Sequence, residues 1–288
     1  MSILIDKKTK VIVQGITGTQ ASFHIQRAIK YGTNVVAGVV PNKKEKSYLG
    51  IPLFATVKEA KKKTGATASI IFVPANFAKN AIIEAIEAEI ETVVIITSGI
   101  PVSDMMDVRQ ALLRSKTLLI GPNTPGVMTP KHAYLGIFPD DIHNSGNIGV
   151  VSRSSTLTYE AIHEINSIGL GESTIVGLGD DFVIGSGFNK IIEKFNEDKK
   201  TKAIVLLGGI RGNYELDAAM FYKNLKKKKT IIALIVEDAA SLSNEDGLAS
   251  EIICSGITSV SEKKKILSES GMIVVDSMSQ LKEELLKL

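Results

Sequence analysis

The chain has 288 residues, of which 44% are hydrophobic and 23% charged, a balance typical of one large or two ordinary globular domains. Its longest apolar runs are far shorter than the ~20 residues that cross a bilayer, and its N-terminal stretch lacks the pattern of a secretory signal. The single cysteine, Cys254, excludes a disulfide framework and a cysteine-based metal cluster and fits a reducing compartment. We expect a cytoplasmic protein, or the mature form of an organellar one, without a membrane partner.

The net charge of +3 is small, and the lysines form short runs at residues 61–63, 226–229 and 263–265. Each run lies at the polar end of a predicted helix, and we interpret all three as solvated helix ends. Aromatic residues make up 5% of the chain and tryptophan is absent, so a stacking platform for bases is not expected. Nucleic acid is therefore not expected as a partner.

In the first half, short runs rich in valine and isoleucine alternate with segments of helical period. The predicted strands are residues 10–14, 35–40, 69–73, 92–96 and 118–121, and the predicted helices are residues 20–31, 57–63, 77–88 and 103–115. Near-continuous apolar strands separated by helices indicate βαβ units with helices on both faces of a parallel sheet.

Prolines and glycines interrupt this alternation at residues 120–126, and residues 127–145 show only weak periodicity. We place a domain boundary after residue 121 for this reason. The alternation then resumes, with predicted strands at residues 147–152, 173–178, 202–207, 230–236 and 272–275 and a last helix at 279–286. The pattern predicts two doubly wound α/β domains in series.

The first predicted strand leads into a loop with two glycines, Gly15 and Gly18, and two threonines, Thr17 and Thr19. Glycines at a strand-to-helix turn let the backbone approach a ligand, and the helix start offers free N–H groups and a positive dipole end to an anion. A tight turn without a ligand would also explain the pattern. Its position at the first strand favours a nucleotide-like cofactor.

The residue that follows the second predicted strand helps to distinguish between possible cofactors. Dinucleotide sites usually place an acidic residue ~20 positions beyond the glycines, and here the corresponding position carries Lys43. A cation suits an additional ribose phosphate, as in coenzyme A or NADP, although Lys43 could also be a surface lysine. The fourth strand ends at Thr97 and Ser98, which supply hydroxyl groups at the same edge of the sheet.

In the second half, the strand ending at residue 152 runs into a hydroxyl-rich helix start, Ser154-Ser155-Thr156. Such a start provides a helix N-cap, and it can also bind an anion; the sequence alone leaves both interpretations open.

Several motifs resemble one family over nearly the whole chain. They are MSILIDKKTKVIVQGITGTQ, residues 71–75, Thr97 with residues 99–101, residues 120–123 and SRSSTLTYE. Together they resemble the alpha subunit of succinate–CoA ligase, to which ATP-citrate lyase is related. The resemblance implies a CoA-binding Rossmann-like domain, residues 1–121, followed by a flavodoxin-like ligase domain, residues 122–288.

The resemblance also implies site residues and partners. Coenzyme A contacts are implied for Thr17, Gly18, Thr19, Gln20, Lys43, Ile96, Thr97 and Ser98. Tyr159 matches a position associated with the carboxylic substrate, and the helix that Ser154 and Ser155 open matches one that faces a phosphorylated histidine. The family joins succinate to coenzyme A using ATP or GTP, with magnesium and the nucleotide held by a beta subunit.

The departures from the family concern that histidine. Leu248 occupies its position, and Gly209 occupies the position of the glutamate that orients it. Ser155 replaces a glycine, the family's Gly-Gly-Asp is Gly179-Asp180-Asp181, and a basic segment has become acidic with Glu237, Asp238, Glu245 and Asp246. Leucine cannot carry a phosphoryl group, and carboxylates oppose a phosphate, so histidine phosphorylation is not expected.

Two functions remain open, and a third is disfavoured. The chain is either an alpha-type subunit that still supports thioester formation or a non-catalytic paralogue that binds coenzyme A for regulation or assembly. The candidates for a substitute phosphate carrier are His24, His132, His143 and His163, none with an orienting glutamate at a family position. An NADP-linked oxidoreductase is disfavoured because no Tyr-Lys or His-Asp pair follows the cofactor loop.

Overall fold

The fold was analysed in a computed structural model that describes residues 2–41, 45–139, 141–209, 211–235 and 258–288. The elements of the first half are β1 (Lys10–Gln14), α1 (Thr19–Tyr31), β2 (Asn34–Val39), β3 (Ser47–Tyr48), β4 (Ile51–Phe54), α2 (Val57–Thr64), β5 (Ala68–Ile71), α3 (Ala75–Glu87), β6 (Thr92–Ile95), α4 (Val102–Leu112) and β7 (Leu118–Ile120). The predicted strands and helices of this half are present, with ends shifted by a few residues. Strands β3 and β4 were not predicted.

The first sheet has the order β3-β4-β2-β1-β5-β6-β7, and all pairs are parallel except β3 with β4. The chain moves from β1 to one side of the sheet and then crosses back to β5 on the other side. A topological switch point therefore lies between β1 and β5, and open α/β sheets bind ligands beyond the carboxyl ends of the strands at such a point.

The elements of the second half are β8 (Gly126–Thr129), β9 (Ala133–Gly136), β10 (Ser145–Ser152), α5 (Ser155–Ser167), β11 (Glu172–Gly177), α6 (Phe188–Glu197), β12 (Ala203–Gly208), α7 (Tyr214–Lys223), β13 (Thr230–Ile235), α8 (Val260–Glu269), β14 (Ile273–Val275) and α9 (Met278–Leu285). The second sheet has the order β14-β13-β12-β10-β11-β8-β9, with parallel pairs from β14 to β11. The two parallel-dominated sheets confirm the predicted fold class.

Residues 127–145 were expected to form a connection, and this was wrong for the hairpin of β8 and β9. The hairpin extends the second sheet with antiparallel pairs. Its strands are too short to show an alternating pattern, and two glycines of the hairpin are required by packing. A Cβ atom on Gly126 would overlap the carbonyl oxygen of Leu135, and one on Gly136 would overlap that of Pro125.

The two halves meet closely along the segment that joins them. Thr124 Oγ1 donates to the carbonyl oxygen of Gly177 at 2.5 Å, and the amide of Gly185 donates to the carbonyl oxygen of Gly121 at 2.8 Å. Asn123 Nδ2 donates to Asp181 Oδ1 at 3.1 Å. The loops that follow β7 and β11 therefore lie side by side. Within the described ranges, no helix is long and apolar enough to cross a membrane.

Candidate functional site

The loop after β1 begins with a conformation that favours glycine. Gly15 has a φ of +79°, and a Cβ atom there would lie 3.2 Å from Val73 Cγ1. The amide of Gly18 donates to the carbonyl oxygen of Gly15 at 3.1 Å, which closes the turn just before α1. Thr17, Gly18, Thr19 and Gln20 are all exposed, so this stretch is open to a ligand.

The helices around the switch point begin without a side-chain cap. No described side chain caps the first turn of α1, which begins after Gly18, or of α3 and α4, which begin after Pro74 and Pro101. By contrast, Thr56 accepts a hydrogen bond from the amide of Glu59 at the start of α2. The first-turn N–H groups of α1 and α3, on either side of the switch point, are thus available to an anion.

The residues after β6 complete this edge of the sheet. Ile96 and Thr97 are half-buried and Ser98 is exposed. Thr97 Oγ1 donates to the carbonyl oxygen of Val73 at 2.5 Å, so this hydroxyl ties the loop after β6 to the loop after β5. The structure therefore places the predicted positions 17–20 and 96–98 on one edge, while Lys43 lies outside the described residues.

Two residues beneath the first loop were missed by sequence reasoning. The hydroxyl of Ser22 lies 2.9 Å from the carbonyl oxygen of Gly18 and 2.8 Å from the hydroxyl of Tyr48. Tyr48 belongs to β3, a two-residue strand without a sequence pattern of its own. The position of Ser22, one helical turn after Gly18, was the available signal.

The second sheet presents a different carboxyl edge. Ser154 caps α5, because its Oγ accepts a hydrogen bond from the amide of Leu157 at 3.3 Å. The N-cap interpretation of the hydroxyl cluster is therefore correct for Ser154. The anion-binding interpretation of Ser154 and Ser155 remains a prediction.

Arg153, the residue before this cap, is only 1% exposed and connects three loops. Its guanidinium donates to the carbonyl oxygens of Gly179 at 3.3 Å and Asp181 at 2.8 Å, and also to that of Arg211. The same group lies over the ring of Tyr214, 5.0 Å from its centroid. The loops after β11 and β12 are thus fixed to the start of α5.

A second buried cation, Lys263, lies next to Arg153 in this network. Lys263 Nζ lies 3.0 Å from Glu215 Oε2 and donates to the carbonyl oxygens of Gly209 at 2.9 Å and Gly212 at 2.7 Å. Glu215 Oε1 accepts from the amide of Gly209 at 3.0 Å and lies 4.0 Å from Arg153 Nη1. We call Arg153, Glu215 and Lys263 the buried triad. The expectation that the run 263–265 is solvated is wrong for Lys263, which is fully buried.

Gly209, where the resemblance implies a glutamate, has room for a side chain. The nearest atom to a Cβ built there is Asp180 Oδ1, at 3.9 Å. Asp180 Oδ2 in turn lies 3.6 Å from Arg211 Nη1, and the Arg211 guanidinium lies over the ring of Phe182. A carboxylate from the loop after β11 therefore faces Gly209. Leu248 and the acidic residues at 237, 238, 245 and 246 lie outside the described residues.

Tyr159, the predicted substrate residue, lies in the second turn of α5. Its ring is half-buried and meets the ring of Phe138 edge-on at 6.2 Å between centroids. Burial raises the pKa of Tyr159 above its ordinary value of 10.0, so the hydroxyl stays protonated near neutral pH.

A cleft of about 180 Å³ lies between the two carboxyl edges. Its walls are Gly99, Ile100, Val102 and Met105 from the first half and Asp181, Phe182, Val183 and Arg211 from the second. The cleft therefore starts at the loop that carries Thr97 and Ser98 and leads to the loops that the buried triad holds.

Comparisons with known proteins agree with this arrangement. Residues 6–99 match the model of the CoA binding domain, and residues 151–286 match that of the CoA-ligase family. The ADP-forming succinate–CoA ligase alpha subunit of Staphylococcus epidermidis (strain ATCC 12228) is 45% identical over 281 residues, covering 98% of this chain and 93% of the relative. The chain belongs to the succinate–CoA ligase alpha-subunit family. The subunit of the same description from Staphylococcus aureus (strain Mu50) is 45% identical over 287 residues, covering 100% and 95%.

Solved structures share the fold at lower identity. ATP citrate lyase from Methanothrix soehngenii, in complex with citrate and coenzyme A, is similar over 99% of this chain, with a TM-score of 0.82 and 22% identity. The dinucleotide-forming acetyl-coenzyme A synthetase 1 of Ca. Korarchaeum cryptofilum is similar over 96%, with a TM-score of 0.74 and 20% identity. The chain spans 51% and 59% of those two longer chains.

Proposed function

We propose that this member of the succinate–CoA ligase alpha-subunit family binds coenzyme A at the carboxyl edge of its first sheet. The observation that supports this most directly is the pair of uncapped helix starts, α1 and α3, on either side of the switch point in the part of the chain that matches a CoA binding domain. Free N–H groups at a helix start are suited to phosphate oxygens.

Each predicted residue has a role in this proposal. The backbone and hydroxyls of residues 17–20 take the pyrophosphate, Lys43 takes the extra ribose phosphate, and residues 96–98 take the arm that leads to the thiol. The bound cofactor supplies the thiol that becomes a thioester. The cleft beyond Gly99 then gives the thiol end a path toward the second half of the chain.

The wider function proposed is that of an alpha-type subunit of a nucleoside-diphosphate-forming acyl-CoA ligase, with succinate as the family's acid. Tyr159 and the α5 start at Ser154 and Ser155 would face the small carboxylate. A beta subunit with a nucleotide-grasping domain would hold ATP or GTP with magnesium. The proposal includes a cytoplasmic location and a division of the chain into residues 1–121 and 122–288.

A non-catalytic, CoA-binding paralogue is the second candidate, and one observation favours it. The carboxylate that faces the space at position 209 comes from Asp180 and is already engaged with Arg211. Together with Leu248 in place of the family's histidine, this leaves no conventional carrier for a phosphoryl group.

Calorimetry with coenzyme A, dephospho-coenzyme A and NADP tests the cofactor assignment. We expect coenzyme A to bind most tightly and dephospho-coenzyme A to bind at least tenfold more weakly, because it lacks the phosphate proposed for Lys43. Lys43→Gln should reduce the difference between these two ligands, whereas the matched surface change Lys62→Gln should leave it unchanged. Tighter binding of NADP than of coenzyme A would contradict the assignment.

Phosphorylation in the presence of a beta subunit, ATP and magnesium tests whether this chain carries the phosphoryl group, and a turnover assay with the same beta subunit separates the two functions. We expect no acid-labile, base-stable phosphate on the unmodified chain. Leu248→His with Gly209→Glu should restore little, because the Asp180 carboxylate lies in front of position 209 and repels a second one. Adding Asp180→Gly to that pair should restore more. Phosphate on the unmodified chain would instead identify His24, His132, His143 or His163 as the carrier.

A further inference from the structure

A groove lies at the amino edge of the second sheet, on the opposite side from the candidate coenzyme A site. Its first hollow, of about 330 Å³, is lined by the N-terminal segment, by Thr129 and His132 of the β8–β9 hairpin, and by Ser173 and Lys200. A second hollow of about 370 Å³ shares Ser2 and Lys200 with the first and continues along the end of α6. We call the two together the amino-edge groove.

The cations of the amino-edge groove have few partners within the protein. Lys7, Lys8 and Lys200 line the first hollow, and none of them takes part in an ion pair among the described residues. Lys200 Nζ donates to Ser145 Oγ at 3.1 Å, which holds this ammonium at the edge of the sheet. The ammonium groups therefore keep most of their donors for a ligand.

The nearest acidic groups are already used within their own loops. Asp6 Oδ1 accepts from the amides of Lys8 at 2.8 Å and Thr9 at 3.1 Å. Asp198 Oδ2, in the second hollow, accepts from the amide of Thr201 at 3.1 Å and from its hydroxyl at 2.7 Å. Glu197 adds one exposed carboxylate at the far end. The first hollow therefore holds more positive than negative charge.

His132 lies in the first hollow, where the surrounding charges affect its pKa. Burial lowers its pKa below the ordinary value of 6.5, and the ammonium groups of Lys200 and Lys7 lower it further, while Asp6 acts in the opposite direction. The imidazole is thus within electrostatic reach of the lysines that a ligand would contact.

We propose that the amino-edge groove binds a small anion with two or more negative charges, such as a compound with a pyrophosphate group. A hollow of about 330 Å³ falls within the range of small-molecule sites, which is ~300–1,000 Å³. The residues lining it offer ammonium donors, while the hydroxyls of Ser2, Thr129 and Ser173 are engaged within the protein. Apart from the imidazole, the lining has no ring on which a base could stack. The ligand is therefore recognised through its charge, independently of the coenzyme A site.

Binding has a consequence for His132 that can be measured. An anion next to the imidazole favours the protonated form, so the pKa of His132 should rise by about one unit. By linkage, a shift of about one unit requires the anion to bind about tenfold more tightly to the protonated form than to the neutral form.

The experiment is a histidine NMR titration of the full chain with and without inorganic pyrophosphate at constant ionic strength, with His132→Gln used to assign the resonance. We expect a saturable rise in the pKa of His132 and no change at His24, His143 or His163. Citrate in a parallel titration distinguishes a phosphate ligand from a polycarboxylate ligand, because the better ligand saturates the shift at the lower concentration.

Matched double variants test whether pyrophosphate binds in the amino-edge groove. Lys7→Gln with Lys200→Gln should weaken pyrophosphate binding at least tenfold, while Lys62→Gln with Lys116→Gln removes the same charge from exposed positions in the first half and should leave it unchanged. Coenzyme A affinity should be the same in the parent chain and in both double variants, which separates this site from the proposed function. An unshifted His132, or equal weakening in both double variants, would overturn the proposal.

Discussion

The carboxyl edges of the two sheets differ in how their loops are held. At the first edge, α1 and α3 begin without a described side-chain cap and the loop between Gly15 and α1 is exposed. At the second edge, Ser154 caps α5 and the buried triad takes up backbone groups of the surrounding loops. Helices α6 and α7 at the second edge also begin without a described side-chain cap, so the two edges differ in whether buried side chains hold their loops in place, and not in capping alone.

Of the substitutions below, one that breaks the buried triad should lower the free energy of unfolding most. Lys263→Met leaves Glu215 as a buried carboxylate whose nearest cation is Arg153 at 4.0 Å, and such a loss costs about 3–5 kcal/mol of the free energy of unfolding. Urea unfolding measures this cost.

The control for this change is Lys264→Met, which removes the partly exposed pair with Asp276 and should cost at most about 1 kcal/mol. Lys263→Met with Glu215→Met should cost less than Lys263→Met alone if the unpaired charge is the cause. Equal costs for Lys263→Met and Lys264→Met would show that the triad does not hold the second edge together.

The buried carboxyl group of Glu172 contrasts with that of Glu215, which is paired with Lys263. Both carboxyl oxygens of Glu172 are buried without a described hydrogen-bond partner, and burial raises its pKa from 4.5 to about 8, although nearby backbone amides offset part of the effect. The folded chain therefore holds this proton more tightly than the unfolded chain does. The resulting cost to stability is absent below about pH 4.5, grows as the pH rises, and levels off above about 8.

Glu172→Gln removes this titration with little change of shape. At pH 7 the variant should be more stable than the parent chain by about 3 kcal/mol, and at pH 4 the two should be equal. Thermal or urea unfolding at the two pH values measures the difference. A variant whose stability relative to the parent is the same at both pH values would show that Glu172 does not titrate in this range.

A side-chain cap at the start of α1 should change the free energy of unfolding least, and it should clearly weaken coenzyme A binding. Gly18→Asp places a carboxylate at the start of α1, where φ is −66° and a Cβ atom has space. The carboxylate would occupy first-turn N–H groups and repel a phosphate, so coenzyme A affinity should fall about tenfold or more, equivalent to about 1.4 kcal/mol.

Gly18→Ala is the matched control, because it adds the Cβ atom without a cap or a charge. Calorimetry should show a much smaller loss for this variant. The unfolding free energy of Gly18→Asp should stay within a few tenths of a kcal/mol of the parent, whereas Gly18→Ala should cost about 0.5–1 kcal/mol because alanine is a poor N-cap residue. If Gly18→Ala and Gly18→Asp weaken binding equally, the effect is steric and the open helix start is not the anion site.

Sequence reasoning predicted those parts of the molecule whose conformation is determined by neighbouring residues. The loop at Gly15 and Gly18 was predicted because a left-handed glycine and a helix start follow directly from neighbouring residues. The buried triad was not predicted, since Arg153, Glu215 and Lys263 come together from positions far apart in the chain. Lys263 has the same local pattern as Lys264 and Lys265, and only the packing of α8 against the loop after β12 distinguishes it.

The β8–β9 hairpin has a consequence for how the chain can be divided. By hydrogen bonding it belongs to the second sheet, but Val127 and Leu135 share a hydrophobic core with Val13 and Ile25 of the first half. Thr33 Oγ1 also donates to the carbonyl oxygen of Tyr134 at 2.9 Å. A gene truncated after residue 121 would therefore encode a fragment with an exposed apolar flank, and the two halves should melt in a single cooperative transition.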